Sequence, residues 1–534
     1  MCSPASGSFP QQWTWSSNFT ANPRDAIPAD NLQPRIEQHR KVGGSDTVVA
    51  IWKSFSSNPD TCSEIFRSWP TNPAPVPPYT SAVIYPYTPA ELQQMADSGC
   101  GPFGNVPHVD LFRLWLPGDV FLVYPAVYTG TNNNITLHPQ SDYYNGSQTP
   151  IFAPNNITIQ GVTQNGIRPT ILRNSGGAGD TETYKSVVEI VGGSNVTVTN
   201  LAIALGSAPD AYAAQSGVYL LGAGYNNYDA NGNELANPQL GPAPNTITLS
   251  NLHIHGFQFG GGNIGANGIF GDATGGGTVV IANNEIDHNG SPGTQGSAGI
   301  AHGVYMGASA NQAAFDPNYK LVFQGNWFHD QVFGHHAKSR AQNTTYIGNY
   351  FQGGVPQGNG FDTAENFLAD VPNGGALIAR YNIFAKNASG PDSNGFSLTY
   401  ATEGIPNDGP NGQPRPNSID VQFNTFVAFT KTYDGVHPVA PLLFFYPGQS
   451  PADAGFPVSN VTVANNAFVG YCPVDHVQDY RGTTQLIAGF GDLSQVFSFG
   501  GKFVAPTFNV SGQNTYSHQS LLVPRQKASI GAED

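Results

Sequence analysis

One short stretch concentrates the cationic chemistry of this chain. Lys338 lies in GHHAKSR beside His336 and Arg340, in a sequence that holds nine lysines among 534 residues. Read as a strand, the stretch puts His336, Lys338 and Arg340 on one face and His335, Ala337 and Ser339 on the other. The small members suit an interior. The three cations then face outward as a patch fitted to a carboxylate or sulfate on a sugar. The plainer alternative is that Lys338 and Arg340 pair with acids on neighbouring segments.

Those acids follow closely. FLADVPNGG directs Leu368 and Asp370 outward if Phe367, Ala369 and Val371 pack inside, and FSLTYATEG ends on Tyr400 and Glu403. Upstream, HGVYMG supplies His302 and Tyr305, which also have plain readings as a stacked structural histidine and a cover over apolar surface. Two chemistries fit this set. In β-elimination from a uronate, a base takes the proton next to the carboxylate while cations hold the resulting charge and an acid assists the leaving oxygen. Lysine serves as that base where neighbouring cations favour its neutral form. In hydrolysis two carboxylates flank the bond, one protonated and one ionised, and Asp370 and Glu403 are the candidates. The expected catalytic residues are therefore Lys338, Arg340, His336, Asp370, Tyr400 and Glu403, with His302, Tyr305, His335 and Arg380 as substrate contacts. Neither a metal ligand set nor a required cofactor is read, although Asp362 and Glu365 are loop residues compatible with Ca²⁺.

Elements that could hold such a row are visible as a repeat. Short β-rich runs end in Asn, one residue, then Phe or Ile: VVIANNEI at Asn284, KLVFQGNWF at Asn326, TTYIGNYF at Asn349, ALIARYNIF at Asn382, DVQFNTF at Asn424 and VTVANNAF at Asn466. Alternation within each run places Val, Ile and Phe on one face, as a strand buried on one side requires. Successive Asn residues are 23 to 42 positions apart. The shortest interval is close to one turn of a β-solenoid, and the longer ones are coils that carry loops. Asn recurs at a bend where side-chain amides stack as a ladder, each bonding to the next coil. Between these runs lies a second strand family, including SVVEIVGG, SGVYLLGAG, NGIFGDAT, HGVYMG, GHHAKSR, FLADVPNGG, FSLTYATEG and PLLFFYPG. Each coil is thus expected to give one strand to either row.

The expected fold is an all-β, single-stranded right-handed parallel β-helix spanning 105–510. A loop-rich N-terminal cap over 1–104 contains a short helix at YTPAELQQMADSG, and 511–534 form a tail. A cap is needed because solenoid ends expose strand edges and apolar core.

Composition removes other classes. Charged residues make up 11% of the chain and the net charge is -15, so a general nucleic-acid binder is not expected. No apolar run reaches the roughly 18 residues that span a bilayer. Cys2, Cys62, Cys100 and Cys472 are too dispersed for a paired-cysteine zinc site. A Cys62–Cys100 bridge fits export, and Cys2 followed by small residues fits an acylated lipoprotein start. A secreted, periplasmic or cell-surface location is expected.

Two resemblances sharpen this. LPGDVFLVYPAVYTG resembles the opening of many secreted parallel β-helix proteins of the pectate lyase-like type. HAKSRAQNTTYIGNYF resembles the Lys-Ser-x-x-Asn-Thr stretch of the chondroitinase B and alginate lyase family, which implies Lys338 as the base of a polysaccharide lyase. One extra residue separates Lys338 from Asn343. Asp370 stands where that family has its catalytic arginine, leaving Arg340 or Arg380 to supply it. Gly334 to Arg340, Pro372 to Gly375 and Tyr400 to Gly404 are also similar to motifs shared by a group of bacterial β-helix proteins, which implies a common site. The resulting expectation is an enzyme that cleaves a uronate-containing polysaccharide by elimination. The alternatives are a glycoside hydrolase and a non-catalytic glycan-binding surface protein.

Overall fold

The computed structural model describes residues 23–52 and, between 117 and 517, the strands and the bends beside them. The expected helix at YTPAELQQMADSG, all four cysteines and Asp362 lie outside the described residues. Among the described residues, successive strands pass in rotation to three sheets. Sheet A has thirteen strands, sheet B eleven and sheet C nine. One coil illustrates the path: Lys320–Gln324 in sheet A, Trp327–His329 in sheet B, Ala337–Ser339 in sheet C, then Asn343–Ile347 back in sheet A. Each strand pairs in parallel with its counterpart one coil on, so the chain is an all-β parallel β-helix. No described helix is long and apolar enough to cross a membrane.

The two expected strand rows are sheets A and C. Sheet B is an addition. It consists largely of strands such as Trp327–His329 and Tyr350–Gln352, which follow the repeated Asn directly. Three residues are too few to show a period of two, so the sequence presents them as the end of the preceding run.

The bend from A to B explains the Asn repeat. Asn284, Asn326, Asn349, Asn382, Asn424 and Asn466 form a buried ladder, the Oδ1 of every rung after Asn284 accepting from both the backbone N–H and the side-chain amide of the rung before it. The residue before each rung is left-handed: Asn283, Gly325, Gly348, Tyr381, Phe423 and Asn465 have φ between 55° and 64°. Asn and Gly adopt that region readily. Tyr381 and Phe423 do so with their rings stacked on each other, centroids 5.3 Å apart. Inside the bend a second ladder runs through Phe328, Phe351, Phe384 and Phe426, rings 4.8 to 4.9 Å apart and nearly coplanar. Full burial of each such ring stabilises the fold by about 1.5–3 kcal/mol.

At the N-terminal end, Ile36–Val42 pairs antiparallel with Val120–Val123 of the first coil and with Ser45–Trp52. These strands close the edge of sheet A there. At the other end Thr515–Ser517 still pairs in parallel with Ala467–Val469. The solenoid pattern therefore reaches beyond residue 510, into the segment expected as a tail.

Candidate functional site

Four adjacent strands of sheet C position the site: Val304–Met306, Ala337–Ser339, Ala369–Val371 and Leu398–Tyr400. Their register places Tyr305, Lys338, Asp370 and Thr399 in one column. The flanking Val304, Met306, Ala337, Ala369, Val371 and Leu398 all belong to the core, so the column lies on the outer face. Two glycines permit the approach of coils around it. Gly334, at φ +83°, would carry its Cβ 1.7 Å from the Ala301 carbonyl, and Gly375, at φ +104°, would meet the Gln342 carbonyl at 2.4 Å.

Glu403 completes the cluster from the bend after Leu398–Tyr400. Its carboxylate spans two cations, with Lys338 Nζ 2.7 Å from Oε1 and Arg340 Nη2 2.6 Å from Oε2. Arg340 also donates to the Tyr305 hydroxyl at 3.2 Å and to Asn373 Oδ1. Lys338 Nζ sits 5.1 Å from the centre of the Tyr305 ring. Both cations are buried, whereas the Glu403 side chain is 42% exposed.

The two carboxyl groups are displaced in opposite directions. Burial raises Asp370 above its ordinary value against the pull of Lys338, although the Thr399 hydroxyl donates to Oδ1 at 2.6 Å. Burial also opposes ionisation of Glu403, but Lys338 and Arg340 outweigh it and hold this carboxyl below its usual range. The arrangement thus pairs a carboxyl biased toward its protonated form with one biased toward its ionised form.

Behind Asp370 runs a stack of rings. His335 lies between His302, at 4.6 Å, and Phe367, at 4.8 Å, with interplanar angles of 6° and 4°. Nδ1 of His302 accepts from the His335 backbone N–H, and Nδ1 of His335 accepts from that of Phe367. The ring proton of neutral His335 is therefore on Nε2, 3.5 Å from Asp370 Oδ2. His302 fits the stacked structural reading and Tyr305 the role of a platform under both cations.

Several expected positions are corrected. His336 does not share the outer face with Lys338: it is buried, with its ring 6.2 Å from that of the core residue Phe328. His335, on the inner face by alternation although expected as a substrate contact, turns toward Asp370. Leu368 is core, not outward. Strand alternation starts at Ala337 and Ala369, after bends, so extrapolating it backward assigns these three faces wrongly. Tyr400 is fully buried, its hydroxyl donating to the Gly375 carbonyl and lying 3.0 Å from Asn417 Oδ1, while Thr399 faces outward. Arg380 sits on Ala376–Arg380 in sheet A, ion-paired with Asp420 and apart from the cluster. Glu365 falls in the two-residue strand Ala364–Glu365. Thr399 and Asn373 are additions to the expected set. Counting alternation from the apolar Leu398 would have found Thr399, and Asn373 lies within the Pro-Asn-Gly-Gly motif itself.

No known family model matches this chain, and no curated protein is similar enough to it to match.

Proposed function

We propose that this chain is a carbohydrate-active enzyme that cleaves a uronate-containing polysaccharide, with Lys338, Arg340, Asp370 and Glu403 as its reacting centre. The observation that carries this is the half-exposed Glu403 carboxylate seated across two buried cations. A uronate carboxylate offers the same two oxygens and the same charge to Lys338 and Arg340. Glu403 is the more exposed carboxylate of the cluster, so it is the one that an incoming anion displaces from both cations.

In elimination the proton leaves the carbon next to the uronate carboxylate, the bond to the leaving oxygen breaks, and that oxygen takes a proton. Glu403, displaced from the two cations by the substrate carboxylate, takes the proton from carbon beside Lys338. Arg340 holds the charge that develops on the carboxylate, and Asp370, biased by burial toward its protonated form, gives a proton to the leaving oxygen. Hydrolysis is the second reading, favoured by the opposite displacements of Asp370 and Glu403, a pattern that separates acid from base in a carboxylate pair. Incubating the purified chain with a panel of acidic and neutral polysaccharides tests both. Unsaturated uronide ends, detected by ultraviolet absorbance and mass, are expected. New reducing ends without unsaturation would establish hydrolysis instead. Binding with no shorter product from any glycan would leave a non-catalytic surface protein.

A further inference from the structure

A second cluster lies on the outer face of sheet B, apart from the sheet C site. His253 and His255 are two residues apart on the strand His253–His255, so both rings project outward while Ile254 enters the core. The rings stack 4.2 Å apart at 21°. Against them lies the N-terminal strand Arg24–Asp25, held by parallel pairing with Ile167–Arg168. Asp25 Oδ2 is 2.5 Å from His253 Nδ1, and one donor atom each from Asp25, His253 and His255 fall within 4.8 Å of one another.

We propose that Asp25, His253 and His255 form a binding site for a first-row divalent cation of zinc type. Two imidazoles and one carboxylate make a borderline donor set that suits Zn²⁺, and water supplies a fourth position. The surroundings are those of a ligand set. His253 Nε2 faces Asp287 Oδ1 at 2.8 Å, the outer carboxylate that commonly fixes the orientation of a metal-bound imidazole. Asp287 is also the register partner of His255 on the next strand. Arg168 Nε holds Asp25 Oδ1 at 2.5 Å and leaves Oδ2 directed at His253. Calcium is disfavoured because imidazole nitrogen is a poor ligand for a hard cation.

The ion would act as a clip. Asp25 and His253 are 228 residues apart, so a shared metal ties the N-terminal segment to the middle of the solenoid and closes a long loop.

The test uses the full chain stripped with chelator and titrated with ZnCl₂, followed by calorimetry and by metal analysis after desalting. One equivalent is expected, with a higher melting temperature and slower proteolysis of the segment around Asp25. His255→Ala should abolish uptake, and Asp287→Asn should weaken it by about 10–100-fold. Cobalt supplies a readout independent of stability, because a low-symmetry site with two nitrogen ligands gives visible absorption that His255→Gln would remove. Absence of uptake by the wild-type chain overturns the proposal and leaves His253 as an imidazolium between two carboxylates. Uptake unchanged in folded His255→Ala, or in His255→Gln should the alanine variant not fold, places the ion elsewhere and also overturns it.

Discussion

Lys338 and Asp370 are register partners on adjacent coils of sheet C, with Nζ 4.0 Å from Oδ2. Both are buried, so each depends on the other, and Lys338 depends further on Glu403 at 2.7 Å.

Replacing Lys338 with Met removes the cation and leaves the buried Asp370 with Thr399 and His335. Breaking a buried pair from one side costs about 3–5 kcal/mol. The loss should depend on pH. Burial already raises Asp370, and without Lys338 it rises further. The unfolded chain then ionises this group at a pH where the folded one keeps its proton, so the penalty is smallest at low pH and grows as pH rises. Urea denaturation should show a larger deficit at pH 8 than at pH 5. An equal deficit would mean that Lys338 does not govern Asp370.

The Asn ladder makes a second prediction. Asn349 Oδ1 accepts from the backbone and side chain of Asn326, and its own amide donates to the Phe323 carbonyl and to Asn382 Oδ1. Truncation to Ala strands the buried Asn326 N–H and the Phe323 carbonyl, at about 1–3 kcal/mol per group. Asn349→Ala should lower the denaturation midpoint strongly. A change no larger than that of an exposed substitution would show that water fills the gap.

The same ladder shows what was legible in the sequence. Its rungs recur on one buried face, and their hydrogen bonds require an identical residue in every coil, so repetition exposes them. All eight strands of the second family fall in sheet C, most of them for a similar reason: they carry apolar residues at alternate positions. Site facing was harder to read. His336 and Leu368 sit in bends where the backbone has not yet settled into alternation, and Gly334 at φ +83° reorients the chain just before His335. The link between Glu403 and Lys338 spans 65 residues, and only the stacking of coils brings them together.

On sheet B, His329 sits between Asp330, at 2.8 Å from Nδ1, and Glu285, at 3.3 Å from Nε2. Burial would lower its pKa, but the two carboxylates prevail and raise it to about 9. A histidine raised in the folded state contributes stability that is fully present below its unfolded value and is lost as pH rises through 9. The stability gap between wild type and His329→Gln should therefore be largest near pH 6 and shrink by pH 10. A gap independent of pH would show that the imidazole is neutral throughout.

Glu403 provides the sharpest test of the sheet C site, because it occupies the place proposed for a substrate carboxylate. Glu403→Gln keeps the shape of the side chain and removes the charge that Lys338 and Arg340 now hold. Two results follow from that single change. A uronate oligosaccharide no longer competes with an internal anion, so it should bind more tightly to the variant than to wild type. Turnover should nevertheless fall by about 10²-fold or more, because the side chain at position 403 can no longer accept the substrate proton. Tighter binding with slower turnover separates this role from a structural one, in which both would weaken with stability. If binding and turnover are unchanged while the fold is intact, the carboxylate is a surface ion pair and the reacting centre lies elsewhere on the solenoid.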